Sequence, residues 1–463
     1  MTPVDAATRE GSAVPRDAGD AGERAWPSEA YGWYVTFVLC ACGIVAFIDR
    51  QIINLLVEDI KADLRISDTQ ISLLQGLAFA LFYAIAAVPL GRLADTGSRR
   101  RVIMAGILVW TVAAAACGLA KSFWQLFVAR TFVGVAEATL TPSGFSMLGD
   151  LFRPQRLSLP LGVFTGSSFF GSGVALLIGG YVISRLSSLE QVTLPVVGAL
   201  RPWEAAFVIG ALPGVVVALL FFLTVREPLR RRAALAAQPV ARDADRPTLG
   251  EALGFVRDNA RVFLAVFGGV SVLAAAQFSL GAWVPAYFIR NHGWSAADVG
   301  YAYGLVFLFC GTGGVVAGGW LSDFFQQRGR RDGHLRTALV SALATVPFVI
   351  AFPIAPSAAL SVAALAGAVF FGTMAFGAGP ALIPVICPAR MRGLLVALYL
   401  LVANLVGQAG GPWIVAVFTD YVFGAPELVK YSLLVVPSAL LLLGAALIAA
   451  GFPGLRALQE RAA

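Results

Sequence analysis

Residues 70–101 read QISLLQGLAFALFYAIAAVPLGRLADTGSRRR. From Gln70 to Gly91 there is no charge. A helix of that length spans the roughly 30 Å hydrocarbon core of a bilayer. The run then stops on a short polar turn, Gly91 to Gly97, and on three consecutive bases, Arg99, Arg100 and Arg101. An apolar helix that ends in a cluster of arginines is a membrane span whose end lies on the side where Lys and Arg collect.

The rest of the chain repeats this pattern. Of its 463 residues, 58% are hydrophobic and 13% are charged, against roughly a quarter charged in a soluble domain. Such a chain needs lipid as its solvent. Twelve spans are predicted, at 31–57, 70–92, 100–119, 122–146, 160–182, 203–224, 261–288, 296–322, 336–354, 358–384, 393–418 and 431–452. The fold class is therefore an all-α membrane protein. An even count puts both termini on one side. With that side inside, the inner segments carry most of the 34 Lys and Arg, so both termini are expected in the cytoplasm and the protein in the cell (inner) membrane. The net charge of +7 then follows from topology and calls for no nucleic acid.

The longest interruption, 225–260, divides the spans six and six. Thr248 and Glu251 form a capping-box pattern there, which predicts a short amphipathic helix on the cytoplasmic surface. The expected organisation is a disordered cytoplasmic tail (1–30), a six-helix bundle (31–224), this linker, a second bundle (261–452) and a cytoplasmic tail (453–463). The bundles repeat weakly. Gly91-x-x-x-Asp95 is matched by Gly319-x-x-x-Asp323, and Gly134 with Pro142 by Gly372 with Pro380, at offsets of about half the chain. Duplicated bundles facing one another build many secondary transporters.

Charges within apolar spans carry the chemistry, because each costs about 2.5–3.5 kcal/mol on insertion scales. The first span holds Asp49 and Arg50; the fourth holds Arg130 and Glu137. Counting from the span centres, Asp49 and Arg130 lie at one depth, roughly 6 Å outside the midplane. Arg130, Gly134, Glu137 and Thr141 share a helix face. Asp49 and Arg50 point about 100° apart; Asp49 is expected to turn towards the fourth span, and Arg50 to share the cavity side with Gly43, Phe47 and Asn54. Asp49 and Glu137 are the candidate proton-coupling groups, and Arg50 and Arg130 the candidate anion-binding ones. A buried neutral network that only fixes the two helices is the competing reading. The second bundle offers uncharged candidates for substrate binding, chiefly Gln277, Tyr303 and Asn404, with Trp283, Tyr301, Tyr399 and Gln408 beside them in the pattern. No nucleotide-binding, metal-ligating or nucleophile motif is present, so no cofactor, no metal and no enzymatic reaction are expected.

The turn Gly91-Arg-Leu-Ala-Asp95-Thr-Gly97-Ser-Arg99-Arg100-Arg101 resembles the signature loop of the major facilitator superfamily, with Thr96 and Ser98 as departures. The resemblance implies two pseudo-symmetric bundles, alternating access, and a gate built from Gly91, Asp95, Arg99, Arg100 and Asp323. There Gly91 would let a neighbouring helix approach, and Asp95 would bond to the other half. The Asp49-Arg50 pair, the run 130–138 and the stretch from Leu151 to Gly180, with Arg156, Gly162, Gly171, Gly173 and Gly179-Gly180, resemble spinster-type transporters. Their relatives handle lysophospholipids and sphingoid phosphates. The same charges also resemble symporters of small organic anions related to sialin and galactonate carriers. The resemblance thus implies a small-molecule or lipid substrate, protons as co-substrate, and a monomer in the bilayer. A non-transporting receptor on the same scaffold is the reading from another class.

Overall fold

The computed structural model describes residues 26–195, 198–230, 248–330, 332–378, 386–388 and 391–462. Eleven of its helices are long and apolar enough to cross a membrane. They are α1 (Glu29–Leu55), α2 (Asp68–Thr96), α3 (Arg99–Cys117), α5 (Pro154–Leu186), α6 (Pro202–Thr224), α7 (Ala260–His292), α8 (Ala296–Gln327), α9 (Gly333–Ile354), α10 (Ala358–Gly377), α11 (Gly393–Phe423) and α12 (Pro426–Arg456). The twelfth, α4, crosses in two segments, Phe123–Glu137 and Leu140–Leu151. The protein is a twelve-helix membrane protein. The end that carries the 225–260 linker is called inner below, and the opposite end outer.

The break in α4 was not expected within the span 122–146, and its cause is local. Pro142 has no N–H and its ring crowds the carbonyl of residue 138. The Thr139 hydroxyl turns back to the Ala136 carbonyl at 2.8 Å. Helix α3 makes room for this turn with Gly106, where a Cβ would come within 2.0 Å of the Thr139 hydroxyl. Elsewhere the ends shift outward. The last helix runs from Val429 through Ala462, so the inner tail expected at 453–463 continues α12. A short hairpin, Val192–Leu194 against Gly198–Leu200, lies between α5 and α6. In the linker, Thr248 accepts from the N–H of Glu251 at 3.2 Å and caps a helix at Leu249–Asp258. Pro380, paired with Pro142 in the repeat, lies outside the described residues.

In the first bundle α1 packs on α5 and α6, and α4 on α2 and α3; in the second, α7 packs on α11 and α12, and α9 on α10 and α12. The halves meet along two seams, α5 on α8 and α2 on α11. Glycine sets both. A Cβ at Gly173 would stand 2.6 Å from the Leu308 nitrogen, and one at Gly300 would stand 2.7 Å from the Gly180 Cα. On the other seam a Cβ at Gly76 would meet the Gln408 carbonyl at 2.6 Å. These helices touch backbone to backbone.

Glycine also fixes α4 on α2: a Cβ at Gly134 would lie 2.6 Å from the Phe79 carbonyl oxygen, whereas one at Gly162 in α5 would meet nothing within 4 Å. Alanine gains about 1 kcal/mol of helix propensity over glycine, and overpacking costs about 1–3 kcal/mol. Gly162→Ala is therefore expected to raise the unfolding temperature in detergent, and Gly134→Ala to lower it. The same sign for both would refute packing as the reason for Gly134.

Candidate functional site

Arg50 extends from α1 across the floor of a cavity of about 180 Å³ whose wall includes Gly43, Phe47, Tyr83, Glu137, Thr141 and Ser168. Its Nε donates to Glu137 Oε2 at 2.7 Å, and a terminal nitrogen lies 2.5 Å from the same oxygen. The guanidinium sits over three rings, 4.4 Å from the centroid of Phe79, 4.9 Å from Phe47 and 5.6 Å from Tyr83. Arginine stacks on aromatic faces while keeping its fork free for oxygen. The two partners differ in access: the Arg50 side chain is 23% exposed and Glu137 1%. Glu137 ends the first segment of α4, and its Oε1 is buried with no hydrogen-bond partner among the described residues.

Arg130 plays a different part. It is 1% exposed. Its Nη1 donates to the Asp49 carbonyl at 2.9 Å and its Nε to the Leu74 carbonyl at 3.4 Å. Leu74 lies in a π-helical turn, Leu73–Leu77, where the regular ladder of α2 is interrupted. Arg130 thus ties α1, α2 and α4 through backbone oxygens. The common depth of Asp49 and Arg130 agrees with this contact. Two residues of α1 thus reach α4: Asp49 meets Arg130 through its carbonyl, and Arg50 reaches Glu137. The long arginine side chain reaches from the cavity side to Glu137, so it serves both directions. Asp49 itself is 2% exposed.

Asn54 lies one turn further out, in a chain of amides: its Nδ2 donates to Gln51, its Oδ1 accepts from Gln75 at 3.1 Å, and Gln75 reaches the Ala282 carbonyl of α7. It does not line the cavity of Arg50. In the second half, Asn404 borders an apolar cavity of about 210 Å³ with Phe278, Phe376 and Tyr399. Gln277 packs on Gly372, where a Cβ would meet its Nε2 at 1.6 Å. Tyr303 is 2% exposed and its hydroxyl has no partner among the described residues. Phe376 stands between the halves, with ring centroids 5.3 Å from Phe169 and 6.5 Å from Phe278.

At the inner end, the residues expected to form a gate between halves bond within the first half. Arg99 is fully buried and holds Asp150, Glu227 at 2.8 Å, and the Pro228 carbonyl at 2.8 Å. The N–H of Arg100 donates to Glu227 at 2.7 Å. Asp95 is exposed, as is Asp323, and neither bonds across the halves among the described residues. The close approach expected at Gly91 is not made: the nearest neighbour of a Cβ there would be Pro142, at 3.9 Å and in the same half. Both histidines are bonded at helix ends, His292 to Tyr287 and His334 to Ser322 and Gln326.

The outer end carries cross-half contacts that sequence reasoning missed. Arg290 of α7 donates to Glu58 at 2.8 Å and, through both terminal nitrogens, to Asp68 at 2.7 and 2.8 Å. Lys61 adds a further bond to Asp68. In sequence these residues look like ordinary charged helix ends. The signal available was the unusual Lys61, Asp68 and Arg290 on the otherwise sparsely basic outer face.

Residues 39–412 match the Major Facilitator Superfamily. The chain belongs to that superfamily. It is 30% identical over 429 residues to an MFS-type efflux pump of Mycolicibacterium smegmatis, covering 92% of this chain and 93% of that protein. It is 25% identical to the sphingosine-1-phosphate transporter SPNS2 of Mus musculus, over 83% of this chain and 69% of that protein. It is 26% identical to human protein spinster homolog 1, over 83% and 72%. Its fold matches a crystal structure of a bacterial homolog to the human lysosomal transporter Spinster, inward-facing and unoccupied, with a TM-score of 0.75, 24% identity and coverage of 94% and 99%. The chain is a spinster-type transporter of this superfamily, embedded in the membrane by many spans. Transporters of this kind are not a class of enzyme.

The buried arginine at the inner end makes a measurable demand on stability. Burial pushes the Glu227 carboxyl up, but bonds from the Arg100 N–H, Arg99 and Ser98 outweigh it and hold the group below its ordinary value. A carboxyl lowered by folding contributes stability above the unfolded value, and that contribution is lost as pH falls through the folded one. Glu227→Gln is expected to lower the unfolding temperature at pH 7, with the difference shrinking as pH falls below the ordinary carboxyl value of about 4.3. Arg99→Ala, which removes a buried base bonded to Asp150 and Glu227, should lower the unfolding temperature, while Asp95→Asn should leave it unchanged.

Proposed function

We propose that this chain is a proton-coupled secondary transporter of an anionic, lipid-like substrate such as a lysophospholipid or sphingoid phosphate. The observation that carries the reading is the Arg50–Glu137 pair at the cavity floor, with the base accessible and the acid enclosed. An incoming phosphate or carboxylate competes with Glu137 for the Arg50 fork. Once the substrate takes the guanidinium, Glu137 has lost its counter-charge in a low-dielectric site, and a proton restores neutrality. Substrate and proton are then linked through one arginine, which is the differential interaction that coupling requires. Asp49 belongs to the same coupled set. The apolar cavity bordered by Asn404 suits a hydrocarbon tail, in keeping with the sphingosine-1-phosphate carried by a relative. The small volume beside Arg50, about 180 Å³, favours a second reading, a compact organic anion with no tail.

In this reading the protein is a monomer in a cell membrane with both termini and the linker cytoplasmic, because Lys and Arg collect at that end. A cysteine at Leu229 should resist an impermeant thiol reagent applied outside intact cells; labelling there would reverse the orientation.

The decisive experiment uses sphingosine-1-phosphate, a lysophospholipid and a short organic anion as probes. A ligand that binds only the folded state raises the unfolding temperature. Arg50→Ala is expected to weaken binding of the effective probe by about 1.5–3 kcal/mol, roughly 10- to 150-fold. Glu137→Gln is expected to retain binding and counterflow in vesicles but to lose uptake driven by a pH gradient. Gradient-driven uptake by Glu137→Gln, with Asp49→Asn added, would refute the coupling, and unchanged affinity in Arg50→Ala would refute the anion site.

A further inference from the structure

The first turn of α2 is capped by the other half of the protein. Asp420, near the outer end of α11, accepts through Oδ2 from the backbone N–H of Thr69 and from the Thr69 hydroxyl, both at 2.7 Å. The first four N–H groups of a helix have no partner within it. Ser67 of the same half takes one of them, accepting from the Gln70 N–H at 3.2 Å. Asp420 takes the N–H of Thr69, and its charge faces the positive end of the helix dipole. The bond is partly exposed, so water can replace it when it breaks.

The same two helices touch again two turns further in, at Gly76 and the Gln408–Ala409 backbone. The outer half of the α2–α11 seam is therefore closed from Thr69–Asp420 down to Gly76. At the inner end of the same pair α2 finishes on Asp95, which is exposed and bonds to nothing among the described residues. The helices run antiparallel, and each carries an acid near its end, Asp420 in α11 at the outer side and Asp95 in α2 at the inner side. The outer acid is engaged and the inner one is not.

We propose that Asp420 is the outer latch of the transport cycle, a residue of the second half that holds the outer side shut by capping α2. Opening the outer side requires this cap to be released, and the exposed Asp95 at the other end of the pair is then the acid free to engage. Arg290 grips the neighbouring residue Asp68, so two second-half side chains hold one helical turn. The proposal rests on the alternating-access reading.

The test uses spin-label pairs on the full-length protein in nanodiscs, Ser188 with Glu427 at the outer end and Thr96 with Arg328 at the inner end. Asp420→Ala is expected to lengthen the outer distance and shorten the inner one, raising the outer-open population by up to about tenfold, as loss of a cap allows. Ser67→Ala removes a cap made within one half and serves as the control; it should weaken the helix start without moving either pair. Equal shifts in both variants, or no shift with Asp420→Ala while Arg290→Ala opens the outer end, would overturn the latch and leave alternating access standing. If neither Asp420→Ala nor Arg290→Ala moves any distance, the alternating-access reading falls with it.

Discussion

An arginine paired with a glutamate inside the hydrocarbon layer organises this protein. Neither Arg50 nor Glu137 is tolerable there alone, and each is costly to bury even as a pair. The surrounding structure is built to hold both. Phe79 packs under the guanidinium because Gly134 lets α4 rest on the α2 backbone at that residue. Glu137 stands where it does because α4 breaks immediately after it. Arg130, one face and two turns away, is spent on backbone oxygens of α1 and α2. It sets the scaffold and leaves Arg50 as the base that meets the cavity.

The two ends of the bundle are in opposite states. Outer contacts cross from one half to the other through Arg290, Asp68 and Asp420. Inner contacts made by Arg99, Arg100 and Glu227 stay within the first half and make its inner face rigid. That division separates two jobs that the signature loop could have combined. Arg99 is structural, fully enclosed, and bound to α4 and the linker, whereas Asp95 nearby is exposed and uncommitted.

The legible part of this architecture follows from costs that one sequence can display. Apolar length gives the spans, and an ionisable group within such a span is conspicuous by itself, so Asp49, Arg50, Arg130 and Glu137 could be named at once. Their depth could be counted, and Asp49 does meet Arg130 at one level. Pairing could not be read, because a long arginine side chain can reach across 100° of helix, and Arg50, placed on the cavity side, also reaches Glu137 of α4. Of the aromatic surround of Arg50, Phe47 was placed beside it on α1, whereas Phe79 and Tyr83 of α2 carry no mark that separates them from the other aromatics of the spans. The outer clamp was harder to read for a different reason: Glu58, Asp68 and Arg290 sit at helix ends, where charged residues are common in sequence, and only the fold shows that Asp68 and Arg290 are buried. The gate at Asp95 and Asp323 was legible as a motif, but a motif carries no information about which state of the cycle it is in.

The glycine seam between α5 and α8 has a mechanical consequence. Interlocked side chains form teeth, and teeth must climb over one another when two helices tilt. Where Gly173 faces Leu308, and Gly180 faces Gly300, the surfaces are nearly bare backbone. Such an interface has little relief to resist rocking, so it works as a bearing. A smooth bearing stores no preference for one tilt over another. The choice between outer-open and inner-open must therefore be made at its rims, by the few charged residues that water can reach.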